Sequence, residues 1–98
     1  NKRSSYSSSK WGLIGLTKSS ALDLAKYNIL VNAISPGFIE TDLTAHYTQE
    51  QKQQLKESIS LRRLGQAEDV ASVAKFLCSK EAAYVTGHIM SVDGGLSL

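Results

Sequence analysis

The fold is decided by one stretch near the middle of the chain, residues 29–37, which reads ILVNAISPG. Residues 29–35 are apolar almost without alternation, and Pro36 and Gly37 end the run. A strand that is buried on both faces has this composition, and such strands belong mostly to parallel sheets covered by helices. We therefore predict a buried parallel strand over 29–35, with a turn at its carboxyl end.

Helical patterns stand on both sides of this strand. Apolar residues recur near the 3.6-residue period over 6–27, and Asn28 is a residue type that tolerates the left-handed conformation at a helix end. A second, polar helix is predicted over 48–58, because its first four residues have the Thr-x-x-Gln form of a capping box. Its few apolar residues, Leu55 and Ile59, indicate a surface lid.

The remaining elements complete an α/β alternation. A helix is predicted from Ala67, with Glu68 and Asp69 in the first turn, where the helix dipole favours carboxylates. Its expected buried stripe consists of Val70, Val73, Ala74 and Leu77. A final strand is predicted over 88–93, and the connection between the strands is long enough for a right-handed crossover. The fold class is α/β, with two parallel strands and flanking helices.

Composition narrows the class of protein. The 98 residues are 42% hydrophobic and 20% charged with a net charge of +2, as in a soluble globular domain or part of one. The charges are spread along the chain, so we expect neither a nucleic-acid nor a membrane partner. His46 and His88 lack neighbouring ligand types, and we expect no metal site. Cys78 reads as a buried, inert thiol, which fits a reducing compartment: the cytoplasm, or an organelle matrix after import. The only methionine is Met90, so a piece of a longer chain is expected.

Tyr6 and Lys10 are the first candidates for chemistry. They stand four apart on the first predicted helix and therefore share a face. A phenol is a poor proton donor at neutral pH, and a neighbouring ammonium brings its pKa down toward the working range. On this pair alone, the alternative is a solvated tyrosine and lysine at the start of a helix.

The second candidate is the turn that follows the buried strand, residues 36–41, which reads PGFIET. It lies at the carboxyl end of a parallel strand, where ligands bind in open sheets. Pro36 and Gly37 expose backbone groups there, and Thr41 offers a hydroxyl to a phosphate or an amide. The alternative is a plain turn that ends a strand.

Taken together, these residues resemble the short-chain dehydrogenase/reductase family over the whole chain. The motifs occur in family order: the Tyr6-x-x-x-Lys10 pair, the NAISPG run at 32–37, Arg63-Leu64-Gly65, the VTG run at 85–87 and the VDGG run at 92–95. The run GFIETDLT at 37–44 looks most like the 3-oxoacyl-(acyl carrier protein) reductases of fatty-acid synthesis.

The resemblance implies a Rossmann fold that binds NADPH or NADH and reduces a ketone to an alcohol. Tyr6 would be the general acid, and Lys10 would lower the pKa of Tyr6 and hold the nicotinamide ribose. The backbone of Ile39 would meet the carboxamide. The implied catalytic residues are Tyr6 and Lys10, and the implied cofactor-binding residues are Tyr6, Lys10, Pro36, Gly37, Ile39 and Thr41.

The resemblance also implies what lies outside the chain. The family's glycine-rich phosphate loop and its catalytic serine and asparagine stand upstream of these motifs, so residues 1–98 look like the C-terminal part of a single Rossmann domain, and the missing N-terminal half is an expected partner. Other expected partners are a small-molecule or acyl-carrier-protein-bound ketone and further copies of the chain in a homotetramer. Trp11 would pack at a subunit contact. Lys26, Arg62 and Arg63 could supply basic surface to an acidic carrier. The competing hypothesis is a non-catalytic truncated chain that acts as a structural or oligomerisation module.

Overall fold

The computed structural model describes residues 2–98, with side chains from residue 7 onward. The helices are α1 (Lys2–Leu24), α2 (Gln49–Glu57) and α3 (Ala67–Leu77), and the strands are β1 (Ala33–Pro36) and β2 (Ile89–Val92). Short 3₁₀ turns cover Ala25–Tyr27, Asp42–His46 and Lys80–Ala82. The order of helix, strand, helix, helix and strand confirms the predicted α/β class.

The two strands form a parallel two-stranded sheet. The Ala33 N–H donates to the His88 carbonyl at 2.9 Å, and the Gly37 N–H donates to the Val92 carbonyl at 3.1 Å. The prediction of a strand over 29–35 buried on both faces is wrong in extent and burial. Ile29 is 47% exposed, and β1 is no more than half-buried.

The described chain divides into two compact units. The first contains the residues up to Ala33 together with Leu77–Met90, and the second contains Ile34–Phe76 together with Ser91–Leu98. The two candidate sequence motifs therefore fall in different units, with the Tyr6/Lys10 helix in the first and most of the turn-forming run in the second.

In the first unit, ahead of β1, side-chain hydrogen bonds accompany one backbone hydrogen bond, from the Gly87 N–H to the Val31 carbonyl at 2.7 Å. The Val31 N–H donates to Thr86 Oγ1 at 3.0 Å. Asn32 Nδ2 donates to the Val85 carbonyl, and Asn32 Oδ1 accepts from the His88 N–H, both at 3.0 Å. Residues 29–32 are thus held by a loop rather than by a strand, which is why the regular strand is shorter than its apolar run.

Helix α1 is longer than predicted, because residues 2–5 are also helical. It continues into the 3₁₀ turn and ends as predicted at Asn28, which adopts the left-handed conformation with φ 58°. An added Cβ at Gly12 or Gly15 would meet no atom within 4 Å in the described part of the chain, so these glycines accommodate no neighbouring helix there. Among residues 2–98, no helix is both long and apolar enough to cross a membrane.

The second unit has its core between the segment after α2 and the C-terminal turn. Ile59 is 2% exposed and Leu64 is 4% exposed. A Cβ on Gly94 would lie 2.8 Å from Ile59 Cγ2, so the turn packs directly on this side chain. The prediction that Ile59 belongs to a surface lid is therefore wrong, because the chain turns inward after the helix ends. Helix α2 itself has no buried residue, as expected of a surface helix.

Helix α3 starts at Ala67 with Glu68 and Asp69 in its first turn, as predicted. The residues of its expected stripe, Val70, Val73, Ala74 and Leu77, are half-buried. The prediction that Cys78 is buried is wrong. The helix ends at Leu77, so Cys78 follows it outside the helical stripe and is exposed as a free thiol.

Candidate active site

Helix α1 carries the first group of candidate residues. Positions 6 and 10 lie on one continuous helix, so they share a face. The side chain of Tyr6 lies outside the described residues, and that of Lys10 is half-buried. The helical spacing that the proposed chemistry needs is therefore present in the backbone.

The second group of candidate residues is the strand-end turn, residues 36–41, in which Gly37 is closely packed. A Cβ on Gly37 would stand 2.6 Å from Asp93 Cβ and 2.8 Å from Asp93 Cα. Contacts that short do not occur, so only glycine fits while the Asp93 backbone stays in place. Gly37 therefore lets the start of the turn lie against the segment after β2. Asp93 is a supporting residue that the sequence analysis missed.

Ile39 forms a single parallel bridge with Gly65. The bridge uses the Phe38 carbonyl, which accepts from the Gly65 N–H at 2.8 Å, and the Glu40 N–H, which donates to the Gly65 carbonyl at 2.8 Å. In a parallel ladder this pattern points the N–H and C=O of the bridged residue to the opposite edge. Neither backbone group of Ile39 has a hydrogen-bond partner among residues 2–98. A free donor and acceptor on one residue match the two hydrogen-bonding groups of a carboxamide.

Thr41 ends the strand-end turn and caps the 3₁₀ turn that follows. Its Oγ1 accepts from the Leu43 N–H at 3.2 Å. Thr44 Oγ1 accepts from the Thr41 N–H at 3.0 Å and donates to the Thr41 carbonyl at 2.8 Å. No described residue accepts a hydrogen bond from the Thr41 hydroxyl. The hydroxyl proton is therefore not used within the described chain, while the hydroxyl oxygen fixes the local backbone.

Glu40 is the second residue that the sequence analysis missed. Its carboxylate accepts from Gln66 Nε2 at 3.2 Å and from Lys52 Nζ at 3.4 Å. The hydrogen bond from Gln66, followed by the hydrogen bond and charge of Lys52, holds the pKa of Glu40 below its ordinary value. These partners are 26 and 12 residues away along the chain, so no local pattern could have found them.

A cavity of about 470 Å³ lies in the second unit beside the turn. Phe38 and Ile39 line it together with the pair formed by Arg63 and Asp69. Asp69 Oδ2 accepts from the Gln66 N–H at 2.7 Å and from Arg63 Nη1 at 3.2 Å. These two interactions, the backbone hydrogen bond first, lower the pKa of Asp69. The cavity thus has an apolar side at the turn and a paired-charge side at the start of α3.

Each of the three expected basic-surface residues has a partner within the chain. Lys26 Nζ lies 5.3 Å from the centre of the Tyr27 ring. Arg62 Nη1 donates to the Glu57 carbonyl at 2.8 Å, which caps the end of α2. Arg63 is paired with Asp69. Of these three residues, Arg62 is the one whose charged group contacts neither a carboxylate nor an aromatic ring among the described residues.

Comparisons with known proteins identify the family of the chain. A family model described as enoyl-(acyl carrier protein) reductase matches residues 1–97. The 3-oxoacyl-(acyl-carrier-protein) reductase FabG of Aquifex aeolicus is 56% identical over 91 residues, which are 93% of this chain and 37% of that protein. The FabG of Thermotoga maritima is 46% identical over 94 residues, 96% of this chain and 38% of that protein.

A solved dehydrogenase structure has a closely similar fold. The structure of a 4-hydroxyisoleucine dehydrogenase mutant complexed with NADH and succinate superposes with a TM-score of 0.87 and 40% sequence identity. The match covers 96% of this chain and 40% of the other. The chain spans about two fifths of the length of these relatives. With a family model that matches nearly every residue, the chain belongs to the short-chain dehydrogenase/reductase family.

Proposed function

We propose that the full-length protein containing these residues is a nicotinamide-dependent reductase that converts a 3-oxoacyl group on acyl carrier protein to the 3-hydroxyacyl group. Residues 1–98 form the C-terminal part of its single Rossmann domain. The observation that carries the proposal is the backbone of Ile39, whose N–H and C=O are both free within the described chain. Ile39 lies two residues after Gly37, where the lack of a side chain lets the turn approach Asp93, in a family of nicotinamide enzymes.

The chain's own residues divide the work between binding and proton transfer. The Ile39 N–H and C=O bind the carboxamide, and the Thr41 hydroxyl donates to the cofactor. Lys10 binds the ribose hydroxyls and stabilises the ionised form of Tyr6. The bound nicotinamide supplies the hydride. Tyr6 donates its phenolic proton to the ketone oxygen, which remains bonded to the carbon and becomes the hydroxyl of the alcohol.

The substrate assignment rests on the 3-oxoacyl reductases at 56% and 46% identity. A second candidate, reduction of the carbon–carbon double bond of an enoyl thioester, is favoured by the description of the family model. The test is the initial rate of cofactor oxidation by the full-length protein with a 3-oxoacyl and with an enoyl thioester of acyl carrier protein. NADPH and NADH are each supplied in separate reactions. A faster rate with the enoyl substrate, or no rate with either, contradicts the proposal.

We propose further that the protein acts as a homotetramer and that α1 lies in a subunit interface. Trp11, Leu16 and Leu22 are 72%, 67% and 79% exposed, and large apolar side chains clustered on one helix favour burial by a partner. Light scattering of the full-length protein measures the assembly, and a monomer contradicts the proposed homotetramer.

The exposed free thiol of Cys78 is consistent with a reducing location, which we propose to be the cytoplasm or an organelle matrix.

The alternative is that the chain occurs alone as a non-catalytic oligomerisation module. The intact mass of the protein purified from its source separates the two. A species near 10.6 kDa supports the module, and one more than twice as heavy supports the enzyme.

A further inference from the structure

Glu40 joins three segments of the second unit. Its carboxylate accepts hydrogen bonds from Lys52 in α2 and from Gln66, which directly precedes α3. Its backbone N–H donates to the Gly65 carbonyl. Because Glu40 itself belongs to the strand-end turn, one residue connects that turn to a surface helix and to the start of another.

Helix α2 has few other attachments. None of its residues is buried, and its capping box between Thr48 and Gln51 is internal to the helix end. Its C-terminal side is anchored by Ile59, two residues beyond the helix. In the described chain, Lys52 is the one α2 side chain that hydrogen-bonds a residue outside 48–62. The N-terminal half of α2 therefore depends on a single polar contact.

We propose that Glu40 is a positioning residue, and that its pair with Lys52 is a latch that holds α2 beside the strand-end turn and so sets the affinity for the acyl substrate. The substrate part of this inference rests on the proposed function. The latch itself rests on the contacts alone.

The strength of the pair suits this role. The side chains of Lys52 and Glu40 are 21% and 44% exposed, and their N–O distance is 3.4 Å. Exposed pairs of this kind are weak and are screened by salt. A weak tie opens often, so the pair leaves α2 free to move away from the strand-end turn and return. Gln66 remains on the other carboxylate oxygen and keeps Glu40 oriented while the latch is open.

The first test is amide hydrogen exchange of the full-length protein over residues 48–58. Glu40→Gln and Lys52→Met should each raise exchange there roughly two- to five-fold at low salt. The double variant should show no more than either single one, because both remove the same contact. Lys52→Arg should restore the original rates, and about 1 M salt should remove the difference between the original protein and the variants.

Matched controls are available on the same unit. Glu57→Gln and Lys75→Met change an exposed carboxylate and an exposed ammonium that take no part in the latch, and both should leave exchange at 48–58 unchanged. Unchanged exchange in Glu40→Gln and Lys52→Met overturns the latch. Additive effects in the double variant, or effects that persist in high salt, also overturn it.

The second test is steady-state kinetics on the same variants. The KM for the 3-oxoacyl substrate should rise in Lys52→Met by the factor seen in exchange, whereas kcat and the cofactor Kd of this variant should stay as they are. Raised exchange with an unchanged KM overturns the substrate part of the inference. A full-length protein that reduces no ketone at all contradicts the proposed function instead, and the exchange experiment still decides the latch.

Discussion

The proposed roles of Tyr6 and Lys10 differ, so substitutions can test each role separately. We predict that Tyr6→Phe in the full-length protein abolishes turnover but spares cofactor binding, because it removes the proton donor and leaves the ring. The fall in kcat should be at least ~10²-fold, the lower range of general acid catalysis. Lys10→Ala should lower kcat and also raise the cofactor Kd, since the ammonium serves both the phenol and the ribose. Lys10→Arg should rescue poorly, because a planar fork replaces a compact ammonium.

Steady-state kinetics with a cofactor titration checks this prediction. If the pair were only a solvated tyrosine and lysine, both substitutions would leave activity within a few-fold of the original protein. Tyr6→Phe with more than about a tenth of the original kcat would rule out the general-acid role.

Gly37 and Gly65 allow a comparison of two added methyl groups. We predict that Gly37→Ala destabilises the full-length protein by about 1–3 kcal/mol, as overpacking usually does, and raises the cofactor Kd. The new Cβ would overlap Asp93 Cβ and Cα, so the turn itself must move. In Gly65→Ala the close atom is Ile39 Cδ1 at 2.6 Å, at the end of a side chain that can rotate away.

Chemical denaturation and fluorescence titration of the two variants provide the measurement. The expected order is a clear loss of stability and affinity for Gly37→Ala and a smaller loss for Gly65→Ala. Equal effects would mean that the backbone contact with Asp93 does not fix the turn.

For single residues, the sequence indicated which side chains belong to the candidate site but not which residues they contact. Pro36, Gly37, Ile39 and Thr41 could be selected because family motifs are local in sequence. Family resemblance predicted a role for the Ile39 backbone, but the reason why its N–H and C=O are free could not be predicted, since it is the pairing with Gly65 far along the chain. The assigned roles of these residues and of Tyr6 and Lys10 stay predictions.

Among the elements, α3 provides a test of electrostatics through pH. Asp69 has a lowered pKa in the folded protein because of the Gln66 N–H and Arg63. A lowered folded pKa gives stability that is present above the unfolded value, about 3.9, and is lost as pH falls through the folded value. We predict that Asp69→Asn lowers the free energy of unfolding by a constant amount above about pH 5, and that this difference shrinks below about pH 4.

Urea denaturation of the full-length protein across this pH range measures the difference. Asparagine keeps an acceptor for the Gln66 N–H, so the substitution isolates the charge. Glu68→Gln is the control, because that neighbouring carboxylate has no hydrogen bond with a described residue. A difference for Asp69→Asn that is independent of pH down to about pH 3 contradicts the assignment.

Elements with local end signals were predicted well. The capping box at Thr48 and Gln51 and the acidic first turn of α3 are short-range patterns, and both helices begin where these patterns place them. The strand at 29–35 and the burial of Ile59 were predicted less well. An apolar run marks a tendency toward burial, whereas strand length depends on where the partner strand begins, and β2 begins only at Ile89.

The whole molecule raises the question of what residues 1–98 can do by themselves. We predict that the isolated chain does not unfold cooperatively as a monomer, because its buried core is small. Among the described residues, Ile59 and Leu64 are the only large apolar side chains that are buried, at 2% and 4% exposed. We also predict no micromolar binding of NADPH, since the glycine turn and helix N-terminus that hold a pyrophosphate are not among these residues. Calorimetry of a synthetic 98-mer checks both expectations. A cooperative monomeric transition contradicts the first, and micromolar binding contradicts the second.

Asn32 has a consequence for the way the chain reaches its fold. Its carboxamide donates to the Val85 carbonyl and accepts from the His88 N–H, as a backbone peptide group would. It therefore bonds two backbone groups that stand three residues apart on the segment before β2. A slip by one residue would break both bonds at once and would also turn every side chain of β2 to the other face. In a sheet with only four residues in each strand, the two hydrogen bonds of this one side chain therefore favour the correct alignment of the strands over a shifted one.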